Sequence, residues 1–154
     1  MARADSSGVW LPPPIWYLLA VVGGFLLEQR WPLPIVGARL TRVAGGVVLA
    51  GGLSLVVAGV GWFRRAKTTP VPIRPATALV ISGPYRFTRN PMYLGMTILL
   101  LGVAIMTGAL TPFFVPPLFM IVITTLFIRY EEAQMERTFG ADFTAFKQKV
   151  RRWL

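Results

Sequence analysis

Apolar residues along this chain come in long runs separated by short polar breaks. Four runs meet or approach the roughly 20 residues a helix needs to cross a bilayer. They cover 11–27, 43–63, 92–110 and 113–128. The first opens on Pro12, Pro13 and Pro14, where a helix start tolerates proline. The third is entered through Pro91. The fourth carries Pro116 and Pro117 early, which predicts a broken first turn. Only a short Thr-Gly-Ala-Leu-Thr-Pro stretch parts the third run from the fourth, so these two should form a tight antiparallel hairpin. In the second run, Gly45-Gly46 and Gly51-Gly52 predict close helix packing.

Outside the runs the pattern changes. The segment 64–91 is rich in Pro, Thr and Ile without helical period, and reads as a loop of extended backbone. The segment 129–154 shows Met135, Phe139, Phe143, Phe146 and Val150 at spacings of three and four, which predicts an amphipathic helix with Gly140 as a break. Trp10, Trp16, Trp31 and Trp62 fall near run ends, as interfacial belt residues do, and Glu28 takes a similar position. Met1 to Trp10 carries no clear cleavage site, so the first run is read as retained. The expected architecture is all-α: one integral-membrane helical bundle over 1–154, with about four transmembrane helices and a C-terminal amphipathic helix.

Composition supports a membrane class. Hydrophobic residues make up 55% of the 154, charged residues only 14%, and mean hydropathy is +0.60, against about a quarter charged in soluble domains. The net charge of +10 raises nucleic acid as a partner. The cations, however, lie between or after apolar runs rather than on a separate basic helix, which fits membrane lipids instead. Thirteen cations fall on the side of the N-terminus, the long loop and the tail, and three on the other. The positive-inside rule makes the first side cytoplasmic, as in a bacterial inner membrane. The chain has no Cys and no His. That excludes disulfides, thiolate sites and imidazole bases, and no metal site is expected.

Chemistry concentrates in two places. The segment Ser82 to Gly95 is polar, rigid and cation-bearing, and is lodged between membrane-length runs. Asn90 suits a helix N-cap and Pro91 the first helical position. The free N–H groups of that helix start, with Arg89, favour a carboxylate. Tyr85 and Tyr93 add hydroxyls, and Gly95 permits close approach. Equally, Asn-Pro reads as a plain cap, the tyrosines as interface anchors and the arginines as lipid-phosphate contacts. The second place is Glu131-Glu132, directly after the fourth run. These carboxylates can face a cationic ligand, such as the ammonium and sulfonium of S-adenosylmethionine, or can serve as a base. Alternatively they pair with Arg129 or the loop arginines.

Taken in order, Thr68-Thr69-Pro70, Leu79-Val80, Gly83-Pro84-Tyr85-Arg86, Arg89-Asn90-Pro91-Met92-Tyr93-Leu94-Gly95, Glu131-Glu132 and Phe139-Gly140 resemble the integral-membrane isoprenylcysteine carboxyl methyltransferases and their bacterial relatives. More distantly they resemble the phosphatidylethanolamine N-methyltransferases. The resemblance covers about 67–154. It implies a fold that binds S-adenosylmethionine on the cytoplasmic side, releases S-adenosylhomocysteine and admits a lipophilic acceptor laterally between helices. Carried over, Tyr85, Arg89, Asn90, Pro91, Tyr93, Leu94 and Gly95 line the cofactor pocket with Glu131 and Glu132. Arg86, Glu131 and Glu132 are the catalytic candidates. The acceptor expected first is a carboxylate of the isoprenylcysteine type. The alternatives are a phospholipid amine and a small thiol. Asn90 stands where the eukaryotic carboxyl methyltransferases carry His, and Phe143 and Phe146 stand where relatives often carry Tyr. Two readings of other classes are a small four-helix transporter, which would want an ionisable residue at mid-span that this sequence does not offer, and a non-catalytic membrane subunit.

Overall fold

A computed structural model describes residues 11–34, 38–68 and 77–154. The lead-in at Met1 to Trp10, the Thr69-Pro70 pair and Arg74 lie outside the described residues. Among the described residues the regular elements are all helical. α1 is Pro13–Arg30, α2 Ala38–Arg65, α3 Pro91–Thr107 and α4 Val115–Ile123, and a π-helical segment, Thr124–Ile128, leads into α5, Arg129–Phe139. α6, Ala141–Lys149, follows. Short 3₁₀ turns occupy Gly83–Arg86 and Thr111–Phe114.

Two helical stretches are long and apolar enough to cross a membrane, Leu40–Arg65 and Thr111–Phe139. α3 is apolar but has 17 residues, and α1 ends on Glu28, Gln29 and Arg30. Apolar side chains face outward along the helices: Leu40 is 70% exposed, and Leu18, Val47, Phe25 and Ile121 are also on the surface. Contiguous exposed apolar surface of this kind is what a bilayer covers.

α2 and α3 pack antiparallel on a glycine seam. A Cβ on Gly52 would stand 2.8 Å from the Leu99 nitrogen and 2.9 Å from the Gly95 carbonyl. One on Gly45 would stand 2.7 Å from the Gly102 carbonyl, and one on Gly59 2.7 Å from Met92 Cγ. The seam repeats every seven residues, at 45, 52 and 59 on α2 and at 95 and 102 on α3, which suits the shallow crossing of membrane helices. Only one glycine of each expected pair takes part: Gly46 and Gly51 face open space.

The expected hairpin of the third and fourth runs is present. Gly108 caps α3, and the 3₁₀ turn begins α4's stretch at Thr111. Pro116 and Pro117 sit within α4's first turn, where their missing N–H groups cost little, and the helix is unbroken there. Leu110 donates its N–H to the Leu33 carbonyl at 2.8 Å, and the Thr111 hydroxyl donates to the Trp31 carbonyl at 2.6 Å. The α1–α2 connection and the α3–α4 turn thus meet at one end of the bundle.

Two apolar cores follow. One, with Tyr93, Leu100, Phe119, Ile123 and Ile128, lies between α3 and α4, backed by Trp16 and Tyr17 of α1. The other joins Phe63, Val80, Tyr85, Phe143, Phe146 and Val150 at the opposite end. The tail therefore packs on the face its periodicity predicted, with Met135 and Phe139 at its margin. Gly140, at φ 51°, breaks it into α5 and α6. The tail is not helical throughout: Val150 is extended, and 150–154 form an irregular strap. The long loop likewise departs from plain extended backbone where Gly83–Arg86 coils into its 3₁₀ turn.

Candidate functional site

The site lies where the two cores meet, because Tyr85 belongs to one and Tyr93 to the other. Gly83 makes the first of these possible. At φ 61° it takes a conformation side chains disfavour, and a Cβ there would run into the Trp62 indole, 2.1 Å from Nε1. The turn it allows buries Tyr85 to 4% exposure, edge-on to Phe63 at a centroid distance of 5.4 Å. Burial, and then the charge of Glu131, push the Tyr85 phenol well above its ordinary range, so it stays a protonated donor.

Arg89 and Asn90 precede α3, with Pro91 buried at its first position. Asn90 occupies the N-cap position, but its side chain makes no capping bond. Its Nδ2 donates instead to the Arg152 carbonyl at 3.0 Å. Two residues further into α3, the Tyr93 hydroxyl donates to Glu131 Oε1 at 2.6 Å. Leu94 is buried, and Gly95 faces Val56 and Gly52 of α2, so its missing side chain serves the helix seam.

Glu131 and Glu132 arrive through the π-helical segment. Widening the helix there changes the phase at which the following residues face the bundle. The Thr124 hydroxyl donates to the Met120 carbonyl at 2.6 Å and the Thr125 hydroxyl to the Ile121 and Val122 carbonyls at 3.0 Å, giving partners to groups that a widened ladder holds less well. Glu132 is buried and pairs with Arg89 Nη2 at 3.2 Å. It also accepts a side-on pair from Arg152, Nε to Oε1 at 3.0 Å and Nη2 to Oε2 at 2.6 Å. Arg129 is exposed and takes no part in these pairs.

Arg89 is 10% exposed. Burial lowers its pKa, and the neighbouring Glu132 carboxylate opposes that shift. Three buried donors here have no partner among the described residues: Tyr85 OH, Arg89 Nε and Arg89 Nη1. Buried donors without partners are costly. The guanidinium nitrogens fit a carboxylate, and the carboxylate oxygens of Glu131 and Glu132 fit a cationic group beside it. These are the complements of an amino-acid moiety such as that of S-adenosylmethionine.

The residues expected in the pocket thus divide. Tyr85, Arg89, Asn90, Tyr93, Glu131 and Glu132 converge, Pro91 and Leu94 support them from within α3, and Gly95 turns away. Arg86 is exposed and makes no hydrogen bond or ion pair among the described residues. Two contributors escaped the sequence reading. Thr88, 2% exposed, donates to the Arg152 carbonyl at 3.1 Å and accepts from the Asn90 N–H at 3.2 Å. Arg152 has no sequence feature that separates it from the other cations of the basic tail. Nothing in the sequence marks Thr88, a hydroxyl between Phe87 and Arg89.

An all-helical bundle with outward apolar surface and a carboxylate–guanidinium cluster beyond its apolar helices defines a membrane-associated protein with a polar site at one end. Residues 40–142 match the sequence model described as phospholipid methyltransferase. That is about two thirds of the chain, and the chain belongs to this methyltransferase family. The match falls on the second of the two groups that its motifs resemble. The chain is also similar to an uncharacterized protein of Haemophilus influenzae, 36% identical over 63 residues, which are 41% of this chain and the whole of that protein. No solved structure matches.

Proposed function

We propose that this protein is an S-adenosylmethionine-dependent methyltransferase whose four long helices, α1 to α3 and the stretch containing α4, cross the membrane. Its site lies at the cytoplasmic face, and its acceptor is lipophilic. The observation that carries this reading is the set of buried, unpartnered donors on Arg89 and Tyr85 beside the paired glutamates.

The cofactor, when bound, supplies a sulfonium-activated methyl group. Arg89 would hold its carboxylate, Tyr85 would donate a further hydrogen bond, and Glu131 and Glu132 would face its cationic groups. The two apolar cores that flank the cluster would limit water there. An apolar crevice lined by Ala20, Phe25, Leu100, Val103, Thr107 and Val115 offers a surface for a hydrocarbon chain.

Among acceptors, a lipid amine is favoured over a prenylcysteine carboxylate. A carboxylate acceptor would be repelled by Glu131, which no cation among the described residues pairs, and Arg86, a catalytic candidate that could have offset that charge, is exposed. An ammonium must lose a proton before its lone pair can take a methyl. Glu131, half-buried and held by the Tyr93 hydroxyl, would accept that proton.

The test is calorimetric titration of the detergent-solubilised protein with S-adenosylmethionine and S-adenosylhomocysteine. Saturable binding that drops at least about tenfold in Glu132→Gln is expected. Folded protein that binds neither ligand, even with added lipid, refutes the reading. Vesicles containing phosphatidylethanolamine should then yield methylated lipid, and label appearing in a prenylcysteine instead would reverse the order of acceptors.

A further inference from the structure

Arg152 is positioned with unusual care for a residue in an irregular strap. Its carbonyl accepts from the Thr88 hydroxyl at 3.1 Å and from Asn90 Nδ2 at 3.0 Å. The carbonyl of Arg151 accepts from the Arg89 N–H at 3.0 Å. Three bonds thus tie the strap to residues 88–90, so Arg152 and Arg89 are held in fixed relation. Both then converge on one carboxylate. Arg152 takes Glu132 side-on and occupies both oxygens, while Arg89 touches only Oε1, through Nη2.

This division has a consequence for Arg89. A guanidinium beside a carboxylate gains most from a two-bond, side-on pair. Arg152 already holds that arrangement, so Arg89 keeps Nε and Nη1 unpaired although both are buried. We propose that Arg152 is a positioning residue: by occupying Glu132 side-on, it keeps Arg89 available for the carboxylate of a bound amino-acid moiety. Without Arg152, Glu132 Oε2 is open and Arg89 can turn its own Nε onto Glu132. The anion-binding donors are then spent within the protein. The proposal rests on the cofactor reading above and concerns how the cofactor's carboxylate end is held.

The test compares two ligands on the full chain in detergent. S-adenosylhomocysteine carries the amino-acid carboxylate, and 5′-methylthioadenosine shares the nucleoside but lacks it. Calorimetry on the unaltered protein, Arg152→Ala and Arg152→Lys gives both affinities. Arg152→Ala should weaken S-adenosylhomocysteine by about tenfold or more and leave 5′-methylthioadenosine within about twofold. Arg152→Lys, which retains a charge but not the planar fork, should fall between. Equal loss for both ligands would make Arg152 a structural staple and overturn the proposal, as would unchanged S-adenosylhomocysteine affinity. If Arg152→Ala fails to fold, Arg152→Lys decides by the same two affinities. Unaltered protein that binds neither ligand removes the cofactor reading and this inference with it, a result distinct from selective failure of the variants.

Discussion

The paired glutamates are adjacent in sequence yet stand in different environments. Glu132 sits between two guanidinium groups, whereas Glu131 receives a phenol hydrogen bond and has no cation paired with it among the described residues. The first suits binding and the second proton transfer. Tyr93→Phe separates the two roles. It removes a charge-assisted bond worth about 1.5–3 kcal/mol and leaves the Glu132 pairs untouched. Turnover of a lipid amine should fall about tenfold or more, while S-adenosylhomocysteine affinity stays within about threefold. Radiolabel transfer and calorimetry on the same preparation check this. Affinity that falls as far as turnover would move Tyr93 from proton handling to cofactor binding. Most of these residues were legible in the sequence because polar side chains lodged between membrane-length runs are conspicuous. Arg152 and Thr88 were not. The bonds that seat them use the backbone carbonyls of Arg151 and Arg152, which have no sequence signature, and an Arg-Arg pair in a basic tail reads as lipid-facing.

Helices that pack on glycine approach closely enough for any side chain to force them apart. The α2–α3 seam holds the start of α3, and with it Tyr93, against the rest of the bundle. Gly52→Leu places a side chain where even a Cβ would meet backbone atoms at 2.8 Å and 2.9 Å. The expected loss is at least about 1–3 kcal/mol, the usual cost of overpacking. Gly51→Leu, one position away and facing open space, should leave stability nearly unchanged. Thermal unfolding in detergent compares the two, and similar melting temperatures would refute the seam. Doubled glycines in the sequence revealed that packing occurs but not which member packs. The seven-residue recurrence across both helices resolves it. The π-helical segment was beyond reach, since Thr-Thr-Leu-Phe-Ile is ordinary composition for an α-helix. The widening becomes recognisable only with the threonine hydroxyls seated on earlier carbonyls.

At the scale of the molecule, the fold places the site and the α3–α4 turn at opposite ends of the bundle. α3, with 17 residues, is about 26 Å long, close to the roughly 30 Å hydrocarbon core. Its ends should therefore emerge on opposite faces of the membrane despite its length. The absence of cysteine makes this directly measurable, because any introduced thiol is the sole one. Leu110→Cys lies on the exposed α3–α4 turn and Lys149→Cys on exposed α6. In intact bacterial cells, a membrane-impermeant maleimide should label Leu110→Cys, and should label Lys149→Cys only after the membrane is opened. The positive-inside rule predicts this polarity, since Arg64, Arg65, Lys67, Arg86 and Arg89 and the cations of the tail lie at the site end. Labelling of both positions in intact cells would place the site outside, away from a cytoplasmic cofactor supply. Labelling of neither before opening would mean that α3 and the α4 stretch do not cross as a pair.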